Sequence, residues 1–302
     1  MRTSEPFRCR LLSMIPLLLL LSGCGRQDEK AVREVFVCTP ATPLLLTPRS
    51  GFKPIRELLN GERIDVLFEK DNWLKVRTEK GEEGWVAGED TAGLDVLERA
   101  RKLAAESAAE QMQFEAVLGS DANLRLEPDR NAPFPLRLKK AQAVSVLGRS
   151  HGASPEVEGG HAPTQFLKVR TAEGDCGWVA VWLVQPVIPP PLEDYQEERK
   201  FAACVEMNRI RGGIPQYVYA DLSVDADPKA DFDRIRVFTW NAKAESYGTA
   251  YVERNLRGLL PITSETQDDG SVRVKVRHFD RSGQEHETLY LYKPPYFRKI
   301  RS

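Results

Sequence analysis

The stretch L-K-V-R-T-E-K-G-E-E-G-W-V-A at residues 74–87 returns as L-K-V-R-T-A-E-G-D-C-G-W-V-A at residues 167–180. Ten of the fourteen positions are identical, at a constant offset of 93 residues. In both stretches an apolar residue alternates with a charged one, a glycine turn follows, and a second apolar run begins after it. This pattern is typical of a β-hairpin. The chain therefore carries one β-structural unit twice.

Other short strands are predicted around each hairpin, and Pro, Gly, Asn-Gly and Asp-Asn turn formers separate them. In I-D-V-L-F at residues 64–68, a period of two puts Ile64, Val66 and Phe68 on one face. Strands this short, without helices between them, predict a small antiparallel barrel in each copy. The predicted strands lie at residues 44–46, 64–68, 74–76 and 84–87 in the first copy, and at 123–126, 143–147, 166–170 and 177–180 in the second.

The second copy reads N-L-R-L-E-P-D-R-N-A-P-F-P-L-R-L at residues 123–138, and a W-V-A-V-W-L-V run closes it at 178–184. This order resembles the bacterial SH3-like (SH3b) domain, with an opening N-x-R strand, a proline-bearing loop and a closing G-W-V. The first copy keeps Trp73 and Trp85 but has Thr47-Pro48 where the arginine would fall. The resemblance implies SH3-like domains at residues 34–92 and 114–186, and attachment to cell-wall peptide or glycan.

The first residues predict an export signal. Arg2, Arg8 and Arg10 precede an apolar run of eleven residues at 11–21, which is too short to span a bilayer. Leu-Ser-Gly-Cys at residues 21–24 resembles the lipobox of bacterial lipoproteins. We expect a signal peptide at 1–23, a lipid anchor on Cys24, a linker at 24–33 and an outer-membrane location facing the periplasm. A plain secretory signal with an incidental Cys24 is the alternative.

Charge and cysteine content exclude several classes of function. Without residues 1–23 the chain keeps 40 basic and 43 acidic side chains, and this balance argues against nucleic-acid binding. Cys38, Cys176 and Cys204 remain after Cys24, and their spacing indicates neither a disulfide framework nor a zinc site. No cofactor and no metal are expected.

Two segments interrupt the predicted strands. Residues 93–113, rich in Ala, Glu, Leu and Arg, predict a spacer helix that rests on one barrel. A partner-binding helix is the alternative, although the apolar stripe is narrow. The second copy also carries an insert at residues 149–164 with His151 and His161. Its composition indicates an exposed loop, and two histidines without a third ligand make a poor metal site.

A proline-rich joint at residues 187–193 precedes a C-terminal region at 194–302 that resembles no family we recognise. Residues 194–209 can form an amphipathic helix. Five strand-like runs with short connections follow, which favours neighbouring antiparallel pairing in a meander or small barrel. These runs lie at residues 235–240, 247–252, 259–262, 272–276 and 288–292.

Enzymatic chemistry has one candidate, Cys204 with His278 or His286 as base. Cysteine nucleophiles need a polar setting that stabilises the thiolate, whereas Cys204 lies in the apolar run A-A-C-V. A buried structural role is the better interpretation. Binding is better supported, because aromatic side chains beside charged strands suit sugars and extended peptides. The candidates, each of which could instead fill a barrel core, are Trp73, Trp85, Phe166, Trp178 and Trp182.

We therefore expect a mainly β protein with two small SH3-like barrels, a helical spacer between them, and a C-terminal β-meander or barrel with one helix. The expected function is a non-catalytic envelope lipoprotein that binds peptidoglycan. A protein-binding scaffold of an envelope complex is the alternative.

Overall fold

A computed structural model describes residues 30–49, 51, 53–150 and 165–300. The predicted signal peptide, the lipidation site Cys24 and the histidines of the insert lie outside the described residues. From Ala31 onward the chain forms one compact unit. Over the ranges described, no helix is long and apolar enough to cross a lipid bilayer.

The described residues form 22 β-strands and one α-helix, which confirms a mainly β fold. The helix α1 spans Leu94–Ser107, and short 3-10 turns lie at Gly88–Asp90, Val181–Leu183 and Pro190–Tyr195. The strands are β1 (Arg33–Val37), β2 (Ala41–Leu44), β3 (Arg56–Leu59), β4 (Arg63–Lys70), β5 (Trp73–Thr78), β6 (Glu83–Ala87), β7 (Thr91–Gly93), β8 (Phe114–Leu118), β9 (Ala122–Leu124), β10 (Leu136–Leu138), β11 (Ala143–Arg149), β12 (Phe166–Arg170), β13 (Cys176–Ala180), β14 (Val184–Val187), β15 (Lys200–Arg209), β16 (Pro215–Leu222), β17 (Arg234–Asn241), β18 (Ser246–Glu253), β19 (Gly258–Thr266), β20 (Val272–Phe279), β21 (Glu285–Lys293) and β22 (Tyr296–Lys299).

Two antiparallel sheets share one topology. Sheet I has the order β6-β5-β4-β1-β7, and sheet II has the order β13-β12-β11-β8-β14. A separate two-stranded hairpin accompanies each sheet, β2 with β3 and β9 with β10. The two stretches of similar sequence therefore adopt the same strand order. Sheet I has a hydrophobic core of its own, whereas the core of sheet II continues into the C-terminal region.

Each hairpin crosses its sheet at the tryptophan of the G-W-V motif. Leu45 exchanges two backbone hydrogen bonds with Trp85, at 2.9 and 2.7 Å between nitrogen and oxygen. Arg125 and Trp178 do the same, at 3.0 and 2.8 Å. These paired hydrogen bonds hold the end of β2 against β6, the edge strand of sheet I, and the end of β9 against β13, the edge strand of sheet II. Each sheet thereby curves toward a barrel.

The glycine before each tryptophan leaves room for the crossing strand. A Cβ atom on Gly84 would lie 2.8 Å from the Leu45 carbonyl oxygen, and one on Gly177 would lie 2.7 Å from that of Arg125. Backbone atoms held by two hydrogen bonds cannot easily retreat from such a contact. The recurring glycine is therefore required by close backbone approach.

We expect Gly177→Ala to lower the free energy of unfolding by ~1–3 kcal/mol, because the added methyl group meets backbone at 2.7 Å. Gly148→Ala in β11 is the matched control, since no atom lies within 4 Å of its Cβ position, and its effect should stay within ~0.5 kcal/mol. Urea unfolding of the chain beginning at Gly25, followed by circular dichroism, measures both. Equal unfolding midpoints for the two variants would contradict the steric explanation.

The predicted face of the 64–68 strand is wrong at Phe68. The register of β4 against β5 shifts between Val66 and Phe68, which is a β-bulge at Leu67. Leu67 is buried and Phe68 is 53% exposed as a result, because the extra residue turns the next side chain to the other face. The register of β11 shifts at the corresponding place, before Gly148.

Helix α1 forms as predicted, although it ends at Ser107 and does not rest on one barrel alone. It packs along β13 and also against β1 and β7. Its Val96 is buried in one cluster with Phe36 of β1 and Leu126, which follows β9. The spacer helix is thus a packing element between the two sheets.

The predicted helix at residues 194–209 is wrong, because Lys200–Arg209 is strand β15. Ala203, Val205 and Met207 alternate into the shared core, while Cys204 packs on the opposite face beneath Leu192. A strand that is covered on both faces does not alternate between apolar and polar residues. Its sequence is then a continuous apolar run, which periodicity alone does not distinguish from a buried helix. The C-terminal helix of the expected fold is therefore absent from the described residues.

The C-terminal region contains two four-stranded antiparallel meanders that share one hydrophobic core. Sheet III has the order β15-β16-β17-β18, and sheet IV has the order β19-β20-β21-β22. β15 lies against β19, and β18 lies against β22. The five predicted strand runs are confirmed as β17 to β21, whereas β16 and β22 were not predicted.

The predicted proline-rich joint is packed against sheet III. Leu192 is fully buried there in an aromatic cluster.

Further along, the buried carboxylate of Asp221 accepts hydrogen bonds from three arginines, Arg199 at 2.5 Å, Arg234 at 2.7 Å and Arg236 at 3.1 Å. These ion pairs tie the segment before β15 to the sheet.

Candidate ligand-binding face

The outer surface of sheet I carries the side chains that do not enter its core. On β5 the outward residues are Trp73, Lys75 and Arg77, since Leu74 and Val76 point inward. The β6 partners across the sheet are Ala87, Trp85 and Glu83, respectively. We name this surface face I, formed by Phe68, Trp73, Lys75, Arg77, Glu83 and Trp85.

Two aromatic rings meet on face I. Phe68 lies opposite Lys75 on the neighbouring strand, and its ring is 6.3 Å from that of Trp85 in an edge-to-face arrangement. Leu46, just past the crossing point of the hairpin, is 74% exposed. An aromatic pair with an exposed aliphatic neighbour offers an apolar surface of the kind that ligands cover.

Charged groups border these rings. The Glu83 carboxylate lies 2.8 Å from Nη2 of Arg77 and 3.9 Å from Nζ of Lys75. All three side chains are partly exposed to solvent. Face I can therefore offer both hydrogen-bonding cations and ring surfaces to a ligand.

The corresponding face of sheet II, which we name face II, is covered. It consists of Gly148, Phe166, Lys168, Arg170, Cys176 and Trp178. Phe166 is only 1% exposed and Cys176 only 2%. Phe166 is therefore wrong as a ligand-binding candidate, because its ring does not reach the surface.

The chain itself covers face II. Lys168 Nζ lies 2.5 Å from a carboxylate oxygen of Glu110. Arg170 donates hydrogen bonds of 3.1 Å to the carbonyl oxygens of both Ser107 and Ala108, at the end of α1. Because α1 packs along β13, the surface that carries Trp178 is already in contact with another part of the chain.

The remaining candidate, Trp182, lies outside both faces, in the 3-10 turn after β13. It is 60% exposed, and the Arg130 guanidinium lies 5.4 Å from its ring centre. Of the five aromatic candidates, the structure places Trp73 and Trp85 on the same face of neighbouring strands. It adds Phe68, which a two-residue period assigned to the core, and the cations Lys75 and Arg77, which alternation already placed outward.

Among the described residues, Cys204 does not form a reactive pair with His278 or His286. Cys204 is buried among Leu192, Tyr219, Phe238 and Tyr247, and burial raises the pKa of its thiol. His278 and His286 lie opposite each other on sheet IV, where their ring nitrogens contact Thr288 and Asp280. Within the described ranges, no three His, Cys, Asp or Glu side chains are arranged to hold a metal ion.

The other two described cysteines are also buried and unpaired. Burial, with a smaller contribution from Asp90, raises the pKa of Cys38 to about 12. Burial likewise raises the pKa of Cys176. All three thiols are therefore protonated at neutral pH, and disulfide exchange would require them to become exposed first.

We expect Cys38, Cys176 and Cys204 to resist a thiol reagent such as Ellman's reagent at pH 8 in the folded protein. A pKa of about 12 in place of 9.0 reduces the thiolate fraction of Cys38 about a thousandfold. In 6 M guanidinium chloride the chain beginning at Gly25 should release three equivalents of chromophore at once. One thiol that reacts quickly before unfolding would show an accessible cysteine and reopen the question of a nucleophile.

Comparison with known proteins identifies part of the chain. Residues 46–92 match the family described as the bacterial SH3 domain. This segment is a bacterial SH3 domain. It contains β3 to β6, and with them Phe68, Trp85 and the rest of face I. No curated protein is significantly similar to the chain.

Three solved structures align with most of the chain. NlpC2 from Trichomonas vaginalis is 11% identical, with 90% of this chain and 99% of that chain covered and a TM-score of 0.19. An NlpC/P60 family protein from Bacillus cereus is 12% identical, with 89% and 99% covered and a TM-score of 0.22. NlpC1 from Trichomonas vaginalis is 13% identical, with 95% and 97% covered and a TM-score of 0.20. Scores this low give no basis for transferring a fold or an activity.

Proposed function

We propose that this protein is a non-catalytic binding protein of the bacterial cell envelope, and that it binds peptidoglycan through face I. One observation carries the proposal. Within the bacterial SH3 domain at residues 46–92, the exposed ring of Phe68 meets the half-buried ring of Trp85 beside Lys75 and Arg77. Ring faces next to cations suit a polymer of sugars and charged peptides.

In this proposal the segment around sheet II is a second SH3-like copy that serves as a support. Its strand order and its backbone bridge at Trp178 match those of sheet I. Its outer face is occupied by Glu110 and the end of α1. The wall contact therefore falls on the first copy, and the second copy connects it to sheets III and IV.

The proposed location follows from the export signal. A lipid on Cys24 would anchor the chain at the outer membrane facing the periplasm, next to the wall polymer. Several acyl chains on one residue anchor a protein stably, whereas one chain holds it only marginally. Only a short linker separates Cys24 from β1, which begins at Arg33, so the first SH3 domain would lie close to the membrane surface.

Co-sedimentation with purified sacculi tests the wall contact. We expect the chain beginning at Gly25 to sediment with sacculi, and the double variant Phe68→Ala/Trp85→Ala to bind at least about tenfold more weakly, since each lost ring contact weakens binding. Trp182→Ala removes an exposed tryptophan outside face I and should bind like the parent.

Because Trp85 also lies at the backbone crossing with Leu45, the double variant must lose binding while it keeps the circular dichroism spectrum and the unfolding midpoint of the parent chain. Equal sedimentation of the double variant and the parent would remove face I from the wall contact. Absence of binding by the parent chain would remove peptidoglycan itself.

A second candidate function is an adaptor that binds an envelope protein. It is favoured by the contact on face II, where a sheet of the same topology holds a helix and its following residues. Cross-linking from face I in detergent extracts should then trap one stoichiometric protein partner. That partner should be lost with Phe68→Ala/Trp85→Ala, while sacculi fail to bind.

A further inference from the structure

The two sheets place the same pair of cations at the same positions. Lys168 and Arg170 on β12 correspond to Lys75 and Arg77 on β5, at the offset of 93 residues. In both sheets the lysine is paired across the strands with the tryptophan of the G-W-V motif. What the cations of sheet II bind therefore indicates what those of sheet I are arranged to bind.

The cations of sheet II hold a short acidic peptide. The segment is S-A-A-E at residues 107–110. Arg170 donates to main-chain carbonyl oxygens at Ser107 and Ala108, and Lys168 contacts the carboxylate of Glu110. Main-chain carbonyls and one carboxylate thus provide the polar contacts with face II.

This segment is held in place from its other side. The Gln111 side chain exchanges hydrogen bonds of 2.7 Å with the backbone nitrogen and hydroxyl of Ser264. The Gln113 side chain likewise pairs with both backbone groups of Ile262, at 2.7 and 2.9 Å. Because β19 fixes these two residues, Glu110 stays on face II, and no outside ligand can easily replace it.

Face I differs at one informative position. Glu83 of β6 corresponds to Cys176 of β13, at the same offset. In sheet I the carboxylate beside the cations comes from Glu83 on the neighbouring strand. In sheet II that position is a thiol, and the carboxylate comes from Glu110. In both sheets the lysine and arginine thus lie beside a carboxylate. In sheet I the carboxylate belongs to a residue of the same sheet, and in sheet II it belongs to a peptide segment outside the sheet.

We propose that face I binds an acidic peptide of the cell wall, as face II binds the chain's own residues 107–110. Arg77 contacts main-chain carbonyl oxygens of the ligand, and Lys75 contacts a ligand carboxylate that takes the place of Glu83. The apolar part of the ligand packs on Phe68 and Trp85. The inference rests on the proposed wall binding and assigns it to the peptide portion of peptidoglycan, which carries free carboxylates.

Glu83 is then a built-in competitor for the ligand. Its ion pairs are partly exposed, and such pairs are readily exchanged for others in water. Removing its charge should strengthen ligand binding, whereas removing the charge of Lys75 should weaken it. Opposite effects from two neighbouring variants distinguish recognition from structural damage, because a variant that gains affinity must be folded.

The test uses three probes on the chain beginning at Gly25, titrated by calorimetry at low salt. They are peptides released from sacculi by an amidase, the peptide-free glycan from the same digest, and the capped synthetic pentapeptide S-A-A-E-Q, with S-A-A-Q-Q as its control. The variants are Glu83→Gln, Lys75→Gln, and Lys102→Gln, an exposed lysine on α1 outside face I.

We expect the wall peptides and S-A-A-E-Q to bind, with affinity raised about threefold by Glu83→Gln, lowered about tenfold by Lys75→Gln and unchanged by Lys102→Gln. The glycan and S-A-A-Q-Q should bind at least about tenfold more weakly.

Binding of the glycan as tight as that of the peptides, with no response to Lys75→Gln, would overturn the inference and leave wall binding intact. Sacculi and wall peptides that fail to bind would overturn wall binding. If S-A-A-E-Q nevertheless bound with the expected variant pattern, the wall would be excluded as the source, and an acidic protein segment would replace it.

Discussion

A close crossing of two backbones organises both sheets that resemble each other in sequence. Leu45, just after β2, forms two backbone hydrogen bonds with Trp85 of β6, the edge strand of sheet I. Arg125, just after β9, does the same with Trp178 of β13, the edge strand of sheet II. Only glycine at the preceding position leaves enough space for that approach. With the glycine against the hairpin and the next valine in the core, the tryptophan between them must face outward. The G-W-V motif therefore builds the barrel and presents the ring with the same three residues.

Faces I and II lie at corresponding positions of two sheets that share one strand order. They differ in exposure because of a local bulge and because segments distant in the chain pack on face II. A bulge in β4 turns Phe68 outward beside Trp85, whereas the same bulge in β11 is followed by Gly148, which adds no ring. The end of α1 and Glu110 then cover face II through Arg170 and Lys168. Face II is thus covered by other residues of the chain, whereas Phe68 of face I is exposed to solvent.

The C-terminal pair of sheets, III and IV, packs with sheet II into one larger unit. The hydrophobic core of the pair is continuous with that of sheet II, and Gln111 and Gln113 attach the residues after α1 to β19. The buried ion pairs around Asp221 hold the segment before β15 against sheet III. Leaving any one of these buried charges without its partner is costly. Sheet I has a separate core, and it is joined to this larger unit through α1 and through a backbone hydrogen bond from Arg137 of β10 to Cys38.

Local patterns in the sequence determined the hairpins, the short strands, the helix over Leu94–Ser107 and the outward position of Trp85, because alternation and turn residues act over a few neighbours. Tertiary structure decided the rest. It made a strand of Lys200–Arg209 by covering both of its faces, and the bulge in β4 exposed Phe68. It also buried Phe166 beneath residues far away in the chain. Which face stays open depends on what packs against it from a distance, and no local periodicity records that.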